Sequence, residues 1–267
     1  MIESVLVWNI HGLRTSRIRL KQLVNKWKVH IVVILEPFAR EDKLPGLAIY
    51  LGFQSYCSNE VVGKKVWLLW QDVFEVDIID MSDQFLTSCF RVADQKLVLT
   101  FVYAKCTYQE RKDLWQALEC HDGDLPWLVA GDFNIICNDG ELIGGNPRAL
   151  VAMEEFNQSL NSCGFLELPV KGRRLSWCNG QSGCARSWAH LDHVVMNTRF
   201  LRGYPSVSME YVNWKISDHC PMIIRGSMME DRYGLVPFKF QNMWTIHASF
   251  QECVAAVWRE PVEGNGL

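Results

Sequence analysis

Residues 126–134 read Pro-Trp-Leu-Val-Ala-Gly-Asp-Phe-Asn, an apolar run that ends abruptly in polar residues. A short apolar run bounded in this way is typical of a strand that is buried on both faces. The pattern places Asp132 and Asn134 at the carboxyl end of that strand. The stretch therefore predicts a covered sheet whose edge carries an acid and an amide.

Polar side chains stand at the ends of other predicted strands as well. They are Asn9 at the end of residues 4–9, Glu36 after residues 31–35, Asp192 near the start of residues 191–196, and the pair Asp218 and His219 before residues 221–224. Because the edges of a sandwich gather strand ends into one mouth, we expect these groups to converge. Taken singly, Asn9, Asn134 and Asp132 are equally typical of turns, so each position alone stays open.

The rest of the chain predicts further strands and a few amphipathic helices. Strand-like runs are residues 66–70, 73–79, 85–92 and 97–103, and helical spacing is found in residues 20–27, 110–120 and 153–160. Strands that alternate with a few helices over about 225 residues favour two packed sheets with helices outside. The predicted fold class is therefore an α/β sandwich.

The strand pattern ends after Gly226, which predicts a domain of residues 1–226 and a C-terminal connecting segment of residues 227–267. Within that segment, residues 244–258 predict one helix with Phe250, Val254 and Trp258 in line.

Composition excludes several classes of protein. Of the 267 residues, 49% are hydrophobic, but no apolar run reaches the roughly 18 residues of a membrane span and no signal peptide opens the chain. The 10 cysteines are scattered and form no CxxC pair, which favours reduced thiols and no disulfide-linked partner. A net charge of −3 limits any contact with nucleic acid to local basic patches. The protein is expected to be intracellular.

Acid and amide side chains that converge at one edge of the sandwich suit the hydrolysis of a phosphate ester assisted by a hard divalent cation. Glu36 and Asp218 are candidate carboxylate ligands for Mg²⁺. Zinc is disfavoured, since His190 and His193 are accompanied by no cysteine pair and no HExxH motif.

Read in order, seven blocks resemble the endonuclease/exonuclease/phosphatase superfamily: WNIHG, LEP, FVYAKCT, PWLVAGDFN, LSWCNG, LDHVVMN and SDHCPM. They are most similar to the endonuclease domain of plant non-LTR (LINE-type) retrotransposons. The resemblance implies a four-layered, DNase I-like α/β sandwich with two mostly antiparallel sheets. It also implies one Mg²⁺ or Mn²⁺ ion and nicking of a DNA strand.

The resemblance further implies a role for each matched residue. Glu36 is the main metal ligand, supported by Asn9 and Asp218. Asp132 handles the proton of the attacking water or leaving group, Asn134 orients the scissile phosphate, and Tyr103 steadies the transition-state charge. His219, oriented by Asp192, donates to a phosphate oxygen, and Ser176 contacts phosphate.

The chain departs from this family around Asp192, where flanking arginines are usual and His190 and His193 stand instead. Positive charge is therefore mostly lost there near neutral pH. Arg14, Lys105 and Arg174 are the basic residues proposed to bind substrate.

Three functions stay open at this point. The first is a metal-dependent endonuclease acting on DNA, for which a nuclear location is expected. The second is a phosphatase of the same fold. The third is a catalytically inactive relic, for which residues 227–267 would begin a truncated linker to a reverse transcriptase.

Overall fold

Two β-sheets carry most of the chain. The computed structural model describes residues 4–92, 95–121, 124–213, 216–226 and 250–258. Its strands, in chain order, are β1 (Ser4–Asn9), β2 (Ile31–Leu35), β3 (Ser55–Ser58), β4 (Val66–Trp70), β5 (Glu75–Met81), β6 (Phe85–Val92), β7 (Gln95–Tyr103), β8 (Trp127–Asp132), β9 (Leu142–Ile143), β10 (Leu166–Glu167), β11 (Val170–Lys171), β12 (Trp177–Cys178), β13 (Trp188–Ala189), β14 (Asp192–Met196), β15 (Ser208–Tyr211) and β16 (Met222–Arg225).

The first sheet has the strand order β11-β15-β16-β1-β2-β4-β3, and the second has the order β10-β14-β8-β7-β6-β5. Both sheets are mixed and mostly antiparallel, with β1 parallel to β2 in the first and β7 parallel to β8 in the second. A small third sheet, β12-β13-β9, stands apart from these two. The strands β1, β2 and β8 are buried throughout, because both of their faces are covered.

The helices are α1 (Leu13–Trp27), α2 (Leu44–Leu51), α3 (Tyr108–Glu119), α4 (Leu150–Ser162), α5 (Thr198–Gly203) and α6 (Phe250–Trp258). Apolar side chains of α1 and α2 pack on the outer face of the first sheet. Those of α3 and α4 pack on the outer face of the second sheet. A further cluster of buried apolar side chains lies between the two sheets and comes from their inner faces. The four-layered α/β sandwich is thereby confirmed.

Element boundaries differ from the sequence prediction at several points. The strand predicted for residues 73–79 is wrong by two residues. A turn in which the Phe74 N–H donates to the Gln71 carbonyl at 3.1 Å comes first, so β5 begins at Glu75. The helix predicted from residue 110 begins at Tyr108, since Thr107 caps it by accepting the N–H of Glu110. In the C-terminal segment only α6 is described, and residues 244–249 lie outside the described residues.

Some elements carried no clear signal in the sequence. The helix α2 contains Pro45 and Gly46 near its start, where a turn is the more obvious reading. The strands β9 to β13 are two residues long, and β15 has four residues, so no periodicity can develop in them. They are fixed by pairing with neighbouring strands instead.

Contacts divide the chain into a large unit, Met1–Glu230, and a smaller one, Asp231–Leu267. No helix in the described part is both long and apolar enough to cross a bilayer. The described cysteines are free thiols.

Gly131 lets two strands approach closely just before the candidate site. Its φ is +150°, and an added Cβ would lie 2.0 Å from the carbonyl oxygen of Val102 on β7. Any side chain at this position would push β8 away from β7. The glycine therefore holds the neighbouring Asp132 beside the end of β7.

Candidate active site

The polar ends of the central strands meet at one edge of the sandwich. Asn9 closes β1 in the first sheet, and Asp132 closes β8 in the second. The Nδ2 of Asn9 donates to Oδ2 of Asp132 at 3.1 Å, and both residues are buried. A hydrogen bond between two polar side chains therefore joins the sheets at this edge.

Three side chains line up across neighbouring strands of the second sheet. Tyr103 is the register partner of Asp132, which is in turn the partner of Asp192. Directly paired residues on adjacent strands point to the same face of a sheet. Tyr103, Asp132 and Asp192 therefore form one row that faces the first sheet.

His219 lies against this row and contacts two of its acids. Its Nδ1 is 2.8 Å from Oδ2 of Asp192, and its Nε2 is 3.5 Å from Oδ2 of Asp132. The backbone of His219 is held by Trp8, whose indole N–H donates to its carbonyl at 3.0 Å. The imidazole is therefore buried and fixed in orientation.

The charges around His219 favour its protonated form. Burial would lower the pKa of His219, but the charges of Asp192 and Asp132 outweigh it and raise the pKa to about 10. Near neutral pH the ring is an imidazolium with two N–H donors.

The pKa of Asp132 is also raised, but by burial and not by neighbouring charges of opposite sign. Burial raises the pKa of Asp132 to about 7, although the charge of His219 works against that rise. Its Oδ1 accepts the backbone N–H of Asn134 at 3.0 Å. A carboxyl group in this environment changes its protonation state near neutral pH, which suits a group that accepts and releases a proton.

Asn134 sits at the mouth of the site in a left-handed conformation, with a φ of +52°. Its Nδ2 donates to the carbonyl of Ala104 at 2.7 Å, which fixes the orientation of the amide. The side chain is only partly buried, so it borders the space next to Asp132.

Glu36 follows β2 with a φ of +49° and is 7% exposed. Its Oε1 accepts from Tyr103 Oη at 2.5 Å and from Lys65 Nζ at 3.0 Å. Burial would raise the pKa of Glu36, but the hydrogen bonds from Tyr103 and Lys65 hold it below its usual value. The side chain of Glu36 is therefore ionised near neutral pH.

Tyr103 keeps its proton under all ordinary conditions. Burial and the neighbouring charge of Glu36 raise the pKa of the phenol well above its usual value. The hydroxyl is therefore a neutral donor, and it connects this row of the second sheet to Glu36.

The donor set at Glu36 and Asp218 fits a hard divalent cation. The Nδ1 of His11 lies 3.3 Å from Oε2 of Glu36 and 3.9 Å from Oδ1 of Asp218, so the two carboxylates face one point. The His11 side chain is 61% exposed and also contacts the ring of Phe38 edge-on. Oxygen ligands of this kind are those that Mg²⁺ and Mn²⁺ prefer.

Ser176 was expected to contact phosphate, and its surroundings indicate another role. It is 1% exposed, and its Oγ accepts the backbone N–H groups of Leu191 and Asp192 at 3.0 and 3.1 Å. The hydroxyl is directed at the backbone that carries Asp192. We therefore regard Ser176 as a positioning residue.

The three basic residues expected to bind substrate lie in different places. Arg14 is exposed in the first turn of α1, beside a cleft of about 470 Å³ that also borders Phe38. Lys105 follows β7 and forms an ion pair with Asp83 at 2.7 Å. Arg174 lines a separate cleft and stands apart from the other two.

Sequence reasoning missed two nitrogen-bearing neighbours of Glu36, namely Lys65 and His11. Lys65 precedes β4 and lies over the ring of Phe38 as well as near Glu36. It follows Gly63 and Lys64 in a loop, where a lysine is ordinarily solvated, so nothing in the pattern distinguished it. His11 lies within the quoted block WNIHG and was overlooked only because a loop histidine alone is uninformative.

The sequence profile of the Endonuclease/Exonuclease/phosphatase family matches residues 6–219. No curated protein sequence matches the chain. Among solved structures, the endonuclease domain of TRAS1, a telomere-specific non-LTR retrotransposon, is 14% identical with a TM-score of 0.61 and covers 85% of this chain and 100% of its own.

Two further structures are similar to a comparable extent. The 3′-5′ exonuclease NExo from Neisseria meningitidis is 16% identical with a TM-score of 0.63, covering 84% of this chain and 99% of its own. TDP2 of D. rerio in complex with a single-strand DNA product is 17% identical with a TM-score of 0.61, covering 85% of this chain and 99% of its own. At these identities the likeness extends to the fold. With the profile match over most of its length, the chain belongs to the endonuclease/exonuclease/phosphatase family.

Proposed function

We propose that the protein is a divalent-metal-dependent endonuclease that nicks DNA by hydrolysing a phosphodiester bond. The observation that carries this proposal is the connected series Asn9, Asp132, His219 and Asp192, which lies beside Glu36 at one edge of the sandwich. It combines a fixed cationic donor with a carboxyl group of raised pKa. Both are needed when water attacks a phosphate and negative charge builds up on its oxygens.

His219 supplies the donor in this scheme. Its Nδ1 is engaged by Asp192, so the imidazolium directs Nε2 towards the side of the site where Asp132 lies. A nonbridging phosphate oxygen next to Nε2 would receive a charge-assisted hydrogen bond, which strengthens as the oxygen gains charge.

Asp132 supplies the base. Its Oδ2 is oriented by Asn9 and its Oδ1 by the N–H of Asn134, so the carboxylate cannot rotate away from the mouth. In its ionised form it takes a proton from the attacking water, and it later returns the proton to solvent or to the leaving oxygen. The amide of Asn134 would orient the phosphate beside it.

A cation held by Glu36 and Asp218 would neutralise phosphate oxygens and polarise the bond that breaks. Glu36 is kept ionised for this purpose, and Tyr103 limits its movement by donating to Oε1. Because its single O–H hydrogen is given to Glu36, the phenol would have to leave this carboxylate to donate towards the charge that develops on the phosphate.

DNA is proposed as the substrate on two grounds. Similar structures include a retrotransposon endonuclease domain, a Neisseria phosphatase bound to a product DNA hairpin and a TDP2 bound to a single-strand DNA product. In this chain, Arg14 and Arg17 border the cleft beside the exposed ring of Phe38, which itself lies 5.3 Å from His11. Basic groups next to an exposed aromatic ring suit a nucleic-acid backbone and an unstacked base.

Origin and location are parts of the same proposal. The seven blocks from WNIHG to SDHCPM support descent from a plant LINE-type element, with residues 1–226 as the catalytic domain and residues 227–267 as a connecting segment. A DNA substrate in turn implies a nuclear location. A phosphatase of the same fold is the alternative, since a 3′ phosphatase is among the similar structures.

A specific observation also supports an inactive relic. Lys65 Nζ lies 3.0 Å from Oε1 of Glu36, and His11 Nδ1 lies 3.3 Å from Oε2. A metal ion at Glu36 would compete with both nitrogen atoms. If a metal ion cannot displace these two side chains from Glu36, the protein would fold but would not catalyse hydrolysis.

Nicking of supercoiled plasmid by the purified chain tests these possibilities. We expect relaxed circles with Mg²⁺ or Mn²⁺, none with chelator, and none from the Glu36→Gln and His219→Ala variants. Release of phosphate from a 3′-phosphorylated oligonucleotide without nicking would instead indicate the phosphatase. Folded wild-type protein that does neither would indicate the relic.

A further inference from the structure

A second cluster of potential ligands lies on the opposite face of β14 from the site described above. Its members come from the loop after β8, the short 3-10 helix Asp139–Glu141, β10 and the region of β14. They are Cys137, Glu141, Glu167, His190 and His193. Their ligand atoms form two groups, Cys137 with Glu167 and His193, and Glu141 with His190 and His193, each within 4.8 Å. His193 belongs to both groups.

The ring of His193 is oriented as a metal ligand would be. It is fully buried, and its Nε2 lies 2.9 Å from the carbonyl oxygen of Ile135. A carbonyl only accepts, so Nε2 carries the hydrogen, and Nδ1 faces Oε1 of Glu167 at 2.7 Å. With a second proton on Nδ1 the ring also donates to the carboxylate of Glu167, and a metal ion bound at Nδ1 would take the place of that proton. An imidazole that donates to a backbone carbonyl is the usual support of a metal-ligating histidine.

His190 presents an unsatisfied nitrogen to the same cluster. The residue is 7% exposed and stacks on His193 with ring centroids 4.2 Å apart. Its Nδ1 lies 3.5 Å from Oε1 of Glu141, whereas its Nε2 has no hydrogen-bond partner and lies 4.0 Å from Oε1 of Glu167. A proton on Nδ1, directed at Glu141, leaves the Nε2 lone pair free beside Glu167.

Cys137 and Glu141 complete the surroundings. The Sγ of Cys137 is 3.9 Å from Oε2 of Glu167, and Oε2 of Glu141 accepts the N–H of Cys137 at 2.6 Å. Ligands on one tetrahedral zinc ion are about 3.4 Å apart, so Cys137 Sγ and His190 Nε2, which belong to different groups, would have to approach each other for one ion to take both. A cleft of about 420 Å³, lined in part by Glu141, Glu167 and His190, connects the cluster with solvent.

We propose that this cluster binds one divalent transition-metal ion of the zinc class through His190 Nε2, His193 Nδ1, Glu167 and Cys137 Sγ. Two imidazoles and a thiol favour Zn²⁺ over the hard Mg²⁺ of the other site. Binding replaces the proton of the Cys137 thiol and the proton that joins His193 Nδ1 to Glu167, so uptake releases two protons to solvent. The ion would tie the loop after β8 to β10 and β14, which makes this site structural and separate from the proposed nuclease chemistry.

Cobalt titration of the full chain tests the proposal. Chelator-treated protein is titrated with Co²⁺ in an excess of Mg²⁺, which covers the Glu36 site. We expect one equivalent of Co²⁺ with the absorption of a four-coordinate ion and a thiolate-to-cobalt charge-transfer band, and displacement of Co²⁺ by Zn²⁺. Zn²⁺ should also raise the Tm of the wild-type chain.

Variants assign the ligands. Cys137→Ser should lose the charge-transfer band, and His190→Gln should weaken Co²⁺ binding by at least about tenfold. In the cobalt titration, two controls should give the wild-type spectrum and affinity: Cys184→Ser removes an exposed thiol outside the cluster, and Glu36→Gln, which is expected to stop nicking, alters only the other site.

Either of two results would overturn the proposal. One is the absence of Co²⁺ uptake together with no change in Tm on addition of Zn²⁺. The other is a cobalt spectrum that Cys137→Ser and His190→Gln leave unchanged. The wild-type titration and its Tm need no variant, so they decide the matter even if a substitution prevents folding.

Discussion

His219 and Asp192 are joined by a hydrogen bond of 2.8 Å between Nδ1 and Oδ2, although 27 positions separate them in the chain. Asp192 is itself held through its backbone N–H by Ser176 and through its carbonyl by the hydroxyl of Tyr211. The acid therefore cannot move away from the imidazole, and the charge on His219 depends on it.

Replacement of Asp192 by asparagine is expected to lower kcat for DNA nicking by about 10²- to 10⁴-fold. The amide oxygen still accepts the Nδ1–H, but without the carboxylate charge the pKa of His219 falls from about 10. The loss should therefore grow as the pH rises, because the imidazolium deprotonates earlier. A pH profile of the variant with the same shape as that of the wild type would contradict this assignment.

The rate of nicking at saturating Mg²⁺ is expected to rise with pH up to about 7 and then level off. Asp132 acts as a base only when ionised, and burial raises its pKa to about 7. Below that value the ionised fraction, and with it kcat/KM, falls about tenfold per pH unit. The measurement is kcat/KM between pH 5 and 9, with Asp132→Asn as the inactive control. A flat profile below pH 7 would exclude Asp132 as the base.

Replacement of Lys65 by methionine is expected to lower the Mg²⁺ concentration needed for half-maximal rate by about 3- to 30-fold. The ammonium group lies 3.0 Å from Oε1 of Glu36 and is 31% exposed, so solvent screens only part of its competition with the metal. Lys64→Met is the matched control, since that side chain is 70% exposed and pairs with Glu60. An increased Mg²⁺ requirement in Lys65→Met would mean that Lys65 assists the metal site.

Replacement of Tyr103 by phenylalanine is expected to lower kcat by about 10- to 100-fold with little change in Tm. The substitution keeps the ring in the core and removes only the hydroxyl that donates to Glu36. Tyr56→Phe, on the edge strand β3 with a 42% exposed side chain, serves as the control. A normal rate for Tyr103→Phe would show that the hydroxyl does not contribute to catalysis and that the ring serves only in core packing.

Replacement of Ser176 by alanine is expected to lower the free energy of unfolding by about 1–3 kcal/mol, because two buried N–H groups lose their acceptor. KM for DNA should stay close to that of the wild type if the hydroxyl only positions backbone. Urea unfolding and steady-state kinetics measure the two quantities, with the partly exposed Ser55→Ala as control. A raised KM at unchanged stability would restore the phosphate contact first expected for this residue.

The sequence predicted the layers of the fold and the strand ends that meet at the site. Asn9, Glu36 and Asp132 each follow an apolar run, and such runs determine where a strand ends whatever its partners are. The family resemblance supplied their order and expected roles.

Other features depended on three-dimensional neighbours. Lys65 belongs to a loop whose position beside Glu36 follows from the pairing of β2 with β4. Ser176 faces inward because an isolated bridge joins Trp177 to His219, a contact between distant parts of the chain. His190 and His193 were read as a loss of positive charge, whereas their burial beside Glu167 is visible only after β10 pairs with β14.

The alternation of side chains along β14 has a consequence for tolerance to insertions and deletions. Asp192 faces His219, and the next residue, His193, faces Glu167 on the other side of the sheet. Shifting this strand by a single residue would turn the acid towards the helices and the imidazole towards the row of catalytic candidates. One lost or gained codon in this segment would thus damage both faces at once, so length variation is expected to accumulate in the exposed loops of residues 179–186 instead.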